Sequence, residues 1–255
     1  MKIILLSKAY GAYRGKLLEK IRSEITTMIS ELDARLISLG TDKKERIVVN
    51  IEGEDEEFIS NALAKEYGNT LSSKDMTLNT TYSGRLVDVG KVGYGLYVDI
   101  GIIDSPRMDA LIPLHKIREQ INLVGPLRFL AEAFVLVDYL PVKVRLTSID
   151  LYNSKIEAEF DQELLSRLTS WLKDDHERLL VFGANHEQID SSLKKTSHRE
   201  DIYETEQLGK FEFSLRCKRS TRASGILAAI GPHLRGVPMH LFIPKELEER
   251  QNAKA

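Results

Sequence analysis

The sequence predicts an α+β chain built as three small domains, and three features of its patterning say so. Apolar runs of strand length alternate with helix-period stretches over residues 1–78. Short strands punctuated by Gly84, Gly90, Gly93, Gly95 and Gly101 fill residues 79–160. The alternation of strand and helix then returns over residues 161–255. A chain of 255 residues has room for two or three domains whose cores need no disulfide or metal staple.

Each element follows from its own pattern. Residues 2–10 (KIILLSKAY) read as a buried strand closed by Gly11. Leu17, Leu18, Ile21, Ile25, Met28, Ile29 and Leu32 then recur at helical spacing, with charges opposite. Strands at Ala34–Leu39 and Arg46–Ile51 flank the turn-like TDKKE, and a second helix sets Phe58, Ile59, Ala62, Leu63 and Tyr67 on one face. This β-α-β-β-α order is most of a ferredoxin-like unit. Residues 70–80, where its closing strand would lie, are polar and read as a linker. From Tyr82 the glycine-spaced strands predict a small antiparallel barrel, interrupted by a helical insertion at 116–137 before LPVKVRLTSID and KIEAEF resume the strand pattern. A connecting helix (Leu164, Leu165, Leu168, Trp171, Leu172) leads into strand Arg178–Phe182, helix 186–196, strands Ile202–Glu206 and Phe211–Lys218, helix 222–234 and strand Met239–Ile243. This is a second, complete ferredoxin-like βαββαβ unit. Asn185 with Gln188 forms a capping box, Gly231-Pro232 ends the last long helix, and the charged residues from Glu246 onward read as a frayed helix or tail.

Composition sets limits on function. Hydrophobic residues make 42% of the chain and charged residues 29%, an ordinary globular mixture. A net charge of −2 excludes a protein that coats nucleic acid through bulk charge, though not a local basic patch. A single cysteine, Cys217, excludes a disulfide framework and a CxxC zinc site, and its place in the alternating FEFSLRCK assigns it to the core. The short run Ile3–Leu6 is no signal sequence and no apolar stretch is long enough to span a bilayer, so the expectation is a soluble, cytoplasmic protein.

The stretches SGRLVDVGKVGYGLYVDIG, DALIPLHKI and LPVKVRLTSIDLYNSKIEAEF together resemble the RNA-binding OB-fold domain of the ribosomal protein S-one family, over about 80 of 255 residues. The resemblance implies a five-stranded OB barrel in which Tyr94 and Tyr97 are stacking aromatics, Asp150 the acidic position and Lys155 the basic residue after the last turn. Single-stranded RNA is held by aromatic faces under bases and cations along the backbone, so these residue types suit that ligand. Pro113 stands where the family often has histidine, and His115, two residues on, would share its face if the strand continued. Residues 81–160 carry a net charge of −1, a weak electrostatic trap for a polyanion. The C-terminal stretch DIYETEQLGKFEFSLRCKRSTRASGILAAIGPHL resembles an archaeal family of uncharacterised proteins, which brings no activity with it.

Other motifs carry weaker chemical signals. Residues 210–240 hold Lys210, Arg216, Lys218, Arg219, Arg222 and Arg235 against Glu212, a net of +5. Arg216, Lys218, Arg219 and Arg222 sit where a strand gives way to a helix, whose free N–H groups suit a phosphate; a solvated strand edge with a capping hydroxyl is the plainer account. ASGILAAIG loosely resembles the ligand turn of ACT domains, although Gly225 is better explained by close helix–sheet packing. GAYRGKL is one residue short of a P-loop and lacks its hydroxyl, and the acids of EGEDEE suit a helix start better than a cation. The six histidines, His198 and His233 near the basic segment among them, show no metal-ligand spacing, and no nucleophile motif is present. The expectation is a non-catalytic RNA-binding protein without cofactor or metal, ribosome- or translation-associated, with ribosomal RNA and ribosomal proteins as partners. Its site would join Tyr94, Tyr97, His115 and Lys155 on the barrel to Arg216, Lys218, Arg219 and Arg222. The alternative is an ACT-like small-molecule sensor or a protein-interaction scaffold.

Overall fold

The computed structural model describes residues 1–104 and 108–246. The first sheet holds β1 (Lys2–Lys8), β2 (Ala34–Thr41) and β3 (Arg46–Gly53) in the order β1-β3-β2, all antiparallel. Helices α1 (Arg14–Met28) and α2 (Glu56–Tyr67) bury Leu17, Ile21, Ile25, Ile59, Leu63 and Tyr67 against it. Phe58 departs from the predicted apolar face: it lies one residue, about 100° of helix, from Ile59, and is 61% exposed. The fourth strand is reduced to one antiparallel bridge, Leu5 with Asn69, just ahead of the predicted linker, whose Leu71 bridges Ile102 of the barrel.

The central unit is a closed five-stranded barrel of β4 (Thr81–Val87), β5 (Gly95–Asp99), β6 (Ala110–Pro113), β7 (Pro141–Asp150) and β8 (Lys155–Phe160), in the order β4-β5-β6-β8-β7. That is the OB strand order. One pairing, β6 with β8, is parallel, so the barrel is mixed rather than wholly antiparallel. Inward-facing Leu86, Val98, Ile112, Val144, Leu146 and Ala158 alternate with outward residues along the strands. The predicted insertion forms α3 (Leu114–Ile121) and α4 (Leu127–Phe134), whose Ile117, Leu130 and Phe134 join the barrel core.

The third sheet has β9 (Arg178–Phe182), β10 (Ile202–Gly209), β11 (Glu212–Cys217) and β12 (Met239–Phe242) in the order β10-β11-β9-β12, the full ferredoxin-like arrangement. Helices α6 (His186–Lys195) and α7 (Ala223–Ile230) cover one face, where they pack on Leu179, Val181, Phe213 and Leu215. The predicted capping box at Asn185 and Gln188 is formed, and α7 gives way to a short 3-10 turn at Gly231–His233. Leu180 and Phe182 face the other way, into the cluster that contains the barrel and α5 (Gln162–Lys173). The unbroken apolar run of β9 is thus explained by burial on both faces. Gly225 packs against nothing, since a Cβ there would meet no atom within 4 Å, so its predicted role in helix–sheet contact does not hold.

The three sheets meet at a buried polar junction on the outer wall of β4 and β5. Lys8 Nζ of β1 lies 3.0 Å from Asp99 Oδ2 of β5, and Arg85 Nη1 of β4 lies 2.7 Å from Glu212 Oε2 of β11. Tyr10 donates its hydroxyl to the other Glu212 oxygen at 2.8 Å and stacks on Tyr139 at 3.8 Å between ring centres. Tyr139 in turn donates to Glu45, and Lys44 reaches Asp109 at 2.7 Å. Phe211, in the turn that leads into β11, completes the core of the first sheet. Among the described residues no helix is long and apolar enough to cross a membrane.

Candidate nucleic-acid interface

The barrel register decides what surrounds the two tyrosines. Val87 of β4, Tyr97 of β5 and Leu111 of β6 lie abreast, and Leu111 pairs in turn with Glu157 of β8. Tyr97 therefore points out from the strand face and carries an acid, not a base, two strands away. Tyr94 precedes β5 and is 56% exposed. The two hydroxyls are 2.8 Å apart and the rings meet edge to face, with centres 6.4 Å apart and planes at 83°. They form a corner rather than a flat double platform. The hydrogen bond to Tyr94, with a smaller contribution from burial, holds the Tyr97 phenol above its usual pKa, so it stays neutral at physiological pH.

The remaining barrel residues fall around this corner unequally. Pro113 ends β6 and stands at the N-cap of α3, so His115 is an exposed residue of the first helical turn and does not lie on the strand face. Its helix stays beside the corner, because Leu114 N–H donates to Tyr94 O at 2.8 Å. Lys155 opens β8, exposed and opposite Asp150. Asp150 is held below the usual carboxylate range chiefly by hydrogen bonds from Asn153, so its role is to shape the turn, with Lys155 the minor influence. That turn carries Tyr152, 96% exposed, which sequence reasoning passed over. Its signal was an aromatic in the polar hairpin LYNSK. OB barrels take oligonucleotides on the face of their second and third strands, between the first and last hairpin loops. Those elements here are β5, β6, residues 88–94 with Tyr94, and residues 151–154 with Tyr152. The helical insertion packs into the barrel core and leaves Tyr94 open.

The C-terminal basic residues are unequally engaged. Arg216 stacks over the Tyr203 ring at 4.7 Å and pairs with Asp174 and Glu204, so it is engaged within the sheet. Arg222 is the N-cap of α7 and pairs with Glu177 at 2.8 Å, while the other Glu177 oxygen accepts the Ala223 N–H at 2.7 Å. The helix start proposed for phosphate is thereby filled by a carboxylate of the chain itself. Lys218 and Arg219 are exposed without ion pairs among the described residues. No hydrogen bond, ion pair or ring contact among the described residues links this group to Tyr94 or Tyr97. His198 is tied to Asp201 at 2.6 Å, and Cys217 is buried, its thiol pushed up to about 12 by that burial. No group of three or more His, Cys, Asp or Glu suited to a metal ion occurs among the described residues.

The chain matches the DUF2110 N-terminal domain over residues 2–73, the central domain over 76–172 and the C-terminal domain over 176–241. It belongs to the DUF2110 family. No curated protein matches the sequence. Among solved structures, this DUF2110 chain is similar to the uncharacterised protein MJ1198 of Methanocaldococcus jannaschii, with 12% identity over 34% of this chain and 96% of that one, at a TM-score of 0.24. It is similar to a protein of vaccinia virus (Wisconsin strain), with 20% identity over 34% of this chain and 89% of that one, at a TM-score of 0.24. A chain of the a/eIF2alpha–aDim2p–rRNA complex of Pyrococcus horikoshii is 10% identical over 48% of this chain and 64% of that one, at a TM-score of 0.27.

Proposed function

We propose that this protein is a non-catalytic binder of single-stranded RNA that works on the ribosome or in translation, with ribosomal RNA as its ligand. The observation that carries this reading is the open tyrosine corner on the strand face of an OB barrel. Tyr94 and Tyr97 are fixed by their own hydrogen bond and are not covered by the insertion. Large aromatic surface left in water has a cost, and a splayed base relieves it by stacking. The resemblance of the barrel sequence to the S-one family supports the same ligand class. With Glu157 on the face and Lys91 already paired to Asp88, stacking outweighs charge here.

The test is fluorescence anisotropy with a labelled, unstructured RNA. Stacking contributes about 1–3 kcal/mol per base, so Tyr94→Ala with Tyr97→Ala should weaken binding at least tenfold while the melting temperature barely moves. Affinity should fall only gently with salt, with a slope near that of one or two phosphates, at about −0.7 each. Unchanged affinity in the double variant, or no binding by the wild type, would remove the reading in favour of a sensor or scaffold. Crosslinking in cells followed by sequencing assigns the RNA: reads concentrated on ribosomal RNA are expected, and reads spread over messenger or transfer RNA would displace the ribosomal assignment.

A further inference from the structure

A second site lies at one end of the third sheet, where β11 and β12 finish and β9 begins. The connection from β11 to α7 makes a turn closed by Thr221 N–H donating to Lys218 O at 2.9 Å. It forms one wall of a cleft of about 240 Å³; Lys245, just after β12, stands on the other, and Asp175 and Glu177 lie between them. Four cations line this cleft: Lys218, Arg219, Arg222 and Lys245. Arg222 has an ion pair, to Glu177. The other three have none among the described residues, and what sets them apart is that they share one cleft.

Three unpaired cations in one enclosure leave a local excess that no ion pair among the described residues offsets. Glu177 is used up by Arg222 and the Ala223 N–H, so the cleft with its two acids and four bases carries a net charge of +2. We infer that this cleft binds a terminal phosphate monoester, that of the 5′ end of an RNA or of a free nucleotide. A monoester at neutral pH carries close to two negative charges and three free acceptor oxygens. That matches three free cations and a net charge of +2. An internal phosphodiester offers only one charge and two free oxygens. The RNA reading above enters only as the source of one of the two ligands.

The experiment compares one unstructured RNA made with a 5′-monophosphate and with a 5′-hydroxyl, and adds calorimetry with AMP and with inorganic phosphate. If the site takes RNA ends, the phosphorylated RNA binds roughly tenfold tighter, a difference of about 1.4 kcal/mol. That ratio should fall to one in Lys218→Ala with Arg219→Ala. If it takes free nucleotides, the two RNAs bind alike, while AMP gives a binding isotherm that the same variant abolishes. Lys245→Ala, on the opposite wall, should weaken whichever ligand binds, and guards against a local distortion by the double variant. Equal affinity for the two RNAs together with no heat from AMP or phosphate overturns the inference. The barrel reading is scored separately, by the loss of 5′-hydroxyl RNA binding in the Tyr94 and Tyr97 variant.

Discussion

Replacing Arg85 with alanine should cost more stability than any other single truncation of a charged side chain here. Glu212 is 0% exposed and has three partners, Arg85 Nη1 at 2.7 Å, the Tyr10 hydroxyl at 2.8 Å and the Phe211 N–H at 3.4 Å. Alanine leaves a buried carboxylate held only by two neutral donors, the Tyr10 hydroxyl and the long Phe211 N–H contact. Breaking a buried pair in this way costs about 3–5 kcal/mol, because the remaining charge has lost its compensation but not its desolvation. For a chain of this length that corresponds to a fall of roughly 6–20 °C in melting temperature. Since Arg85 belongs to the barrel and Glu212 to the third sheet, the loss falls on their junction. Calorimetry should therefore show one transition in the wild type and two in Arg85→Ala. Adding Glu212→Gln to Arg85→Met removes the stranded charge and keeps an acceptor for Tyr10, so this pair should be less damaging than Arg85→Ala alone. A cost below about 1 kcal/mol for Arg85→Ala, with a single transition retained, would refute the reasoning.

Acid should loosen the same junction. Burial works against ionisation of Asp99, yet Lys8 and Lys44 beside it hold its carboxyl below the usual range. A depressed pKa contributes stability that is complete above the unfolded value and lost as pH falls through the folded one, so unfolding monitored by circular dichroism should ease below about pH 4, and Asp99→Asn should flatten that dependence. Gly84→Ala should destabilise by about 1–3 kcal/mol in urea titration, because the added methyl would sit 2.5 Å from Val98 Cγ1 and 2.9 Å from Asp99 O. Cys217, buried with its thiol pushed up to about 12, should resist a thiol-specific reagent at neutral pH and react only at the rate of unfolding.

What the sequence conveyed was local, and what it withheld was mostly relational. Period-2 and period-3.6 patterns fix which face of β11 or α1 is apolar, so the three sheets and their helices were legible. Phe58 was misplaced because a helical face is wider on paper than the strip the sheet covers. His115 was misplaced because a proline at a strand end can also open a helix, and only the turn that follows decides which. The junction was missed although it left a trace: Asp99 sits between Val98 and Ile100, and Glu212 between Phe211 and Phe213. A charge inside an apolar strand run marks a partner from elsewhere in the chain, but one sequence does not name it. Arg216 and Arg222 show the converse. Their clustering along the chain suggested a free basic edge, whereas Asp174, Glu204 and Glu177 take up both in space.

The junction also bears on where a ligand can approach. Apolar contact between domains is non-directional, whereas the Lys8–Asp99 and Arg85–Glu212 pairs hold only in one register. Both pairs attach to the outer wall of β4 and β5, next to Val87 and Tyr97 in the strand register. The first and third sheets therefore seal one end of that wall and leave the end at Tyr94 in solvent. An isolated OB barrel would offer its whole strand face; this one offers the part beyond the junction, bounded by the tyrosine corner and the start of α3. A ligand that needs the full groove would have to break two buried ion pairs to enter it, at about 3–5 kcal/mol for each charge left stranded. The geometry thus selects short, splayed contacts of a few unpaired bases over a long duplex track. A duplex competing equally with single strands for the wild type would contradict that selection.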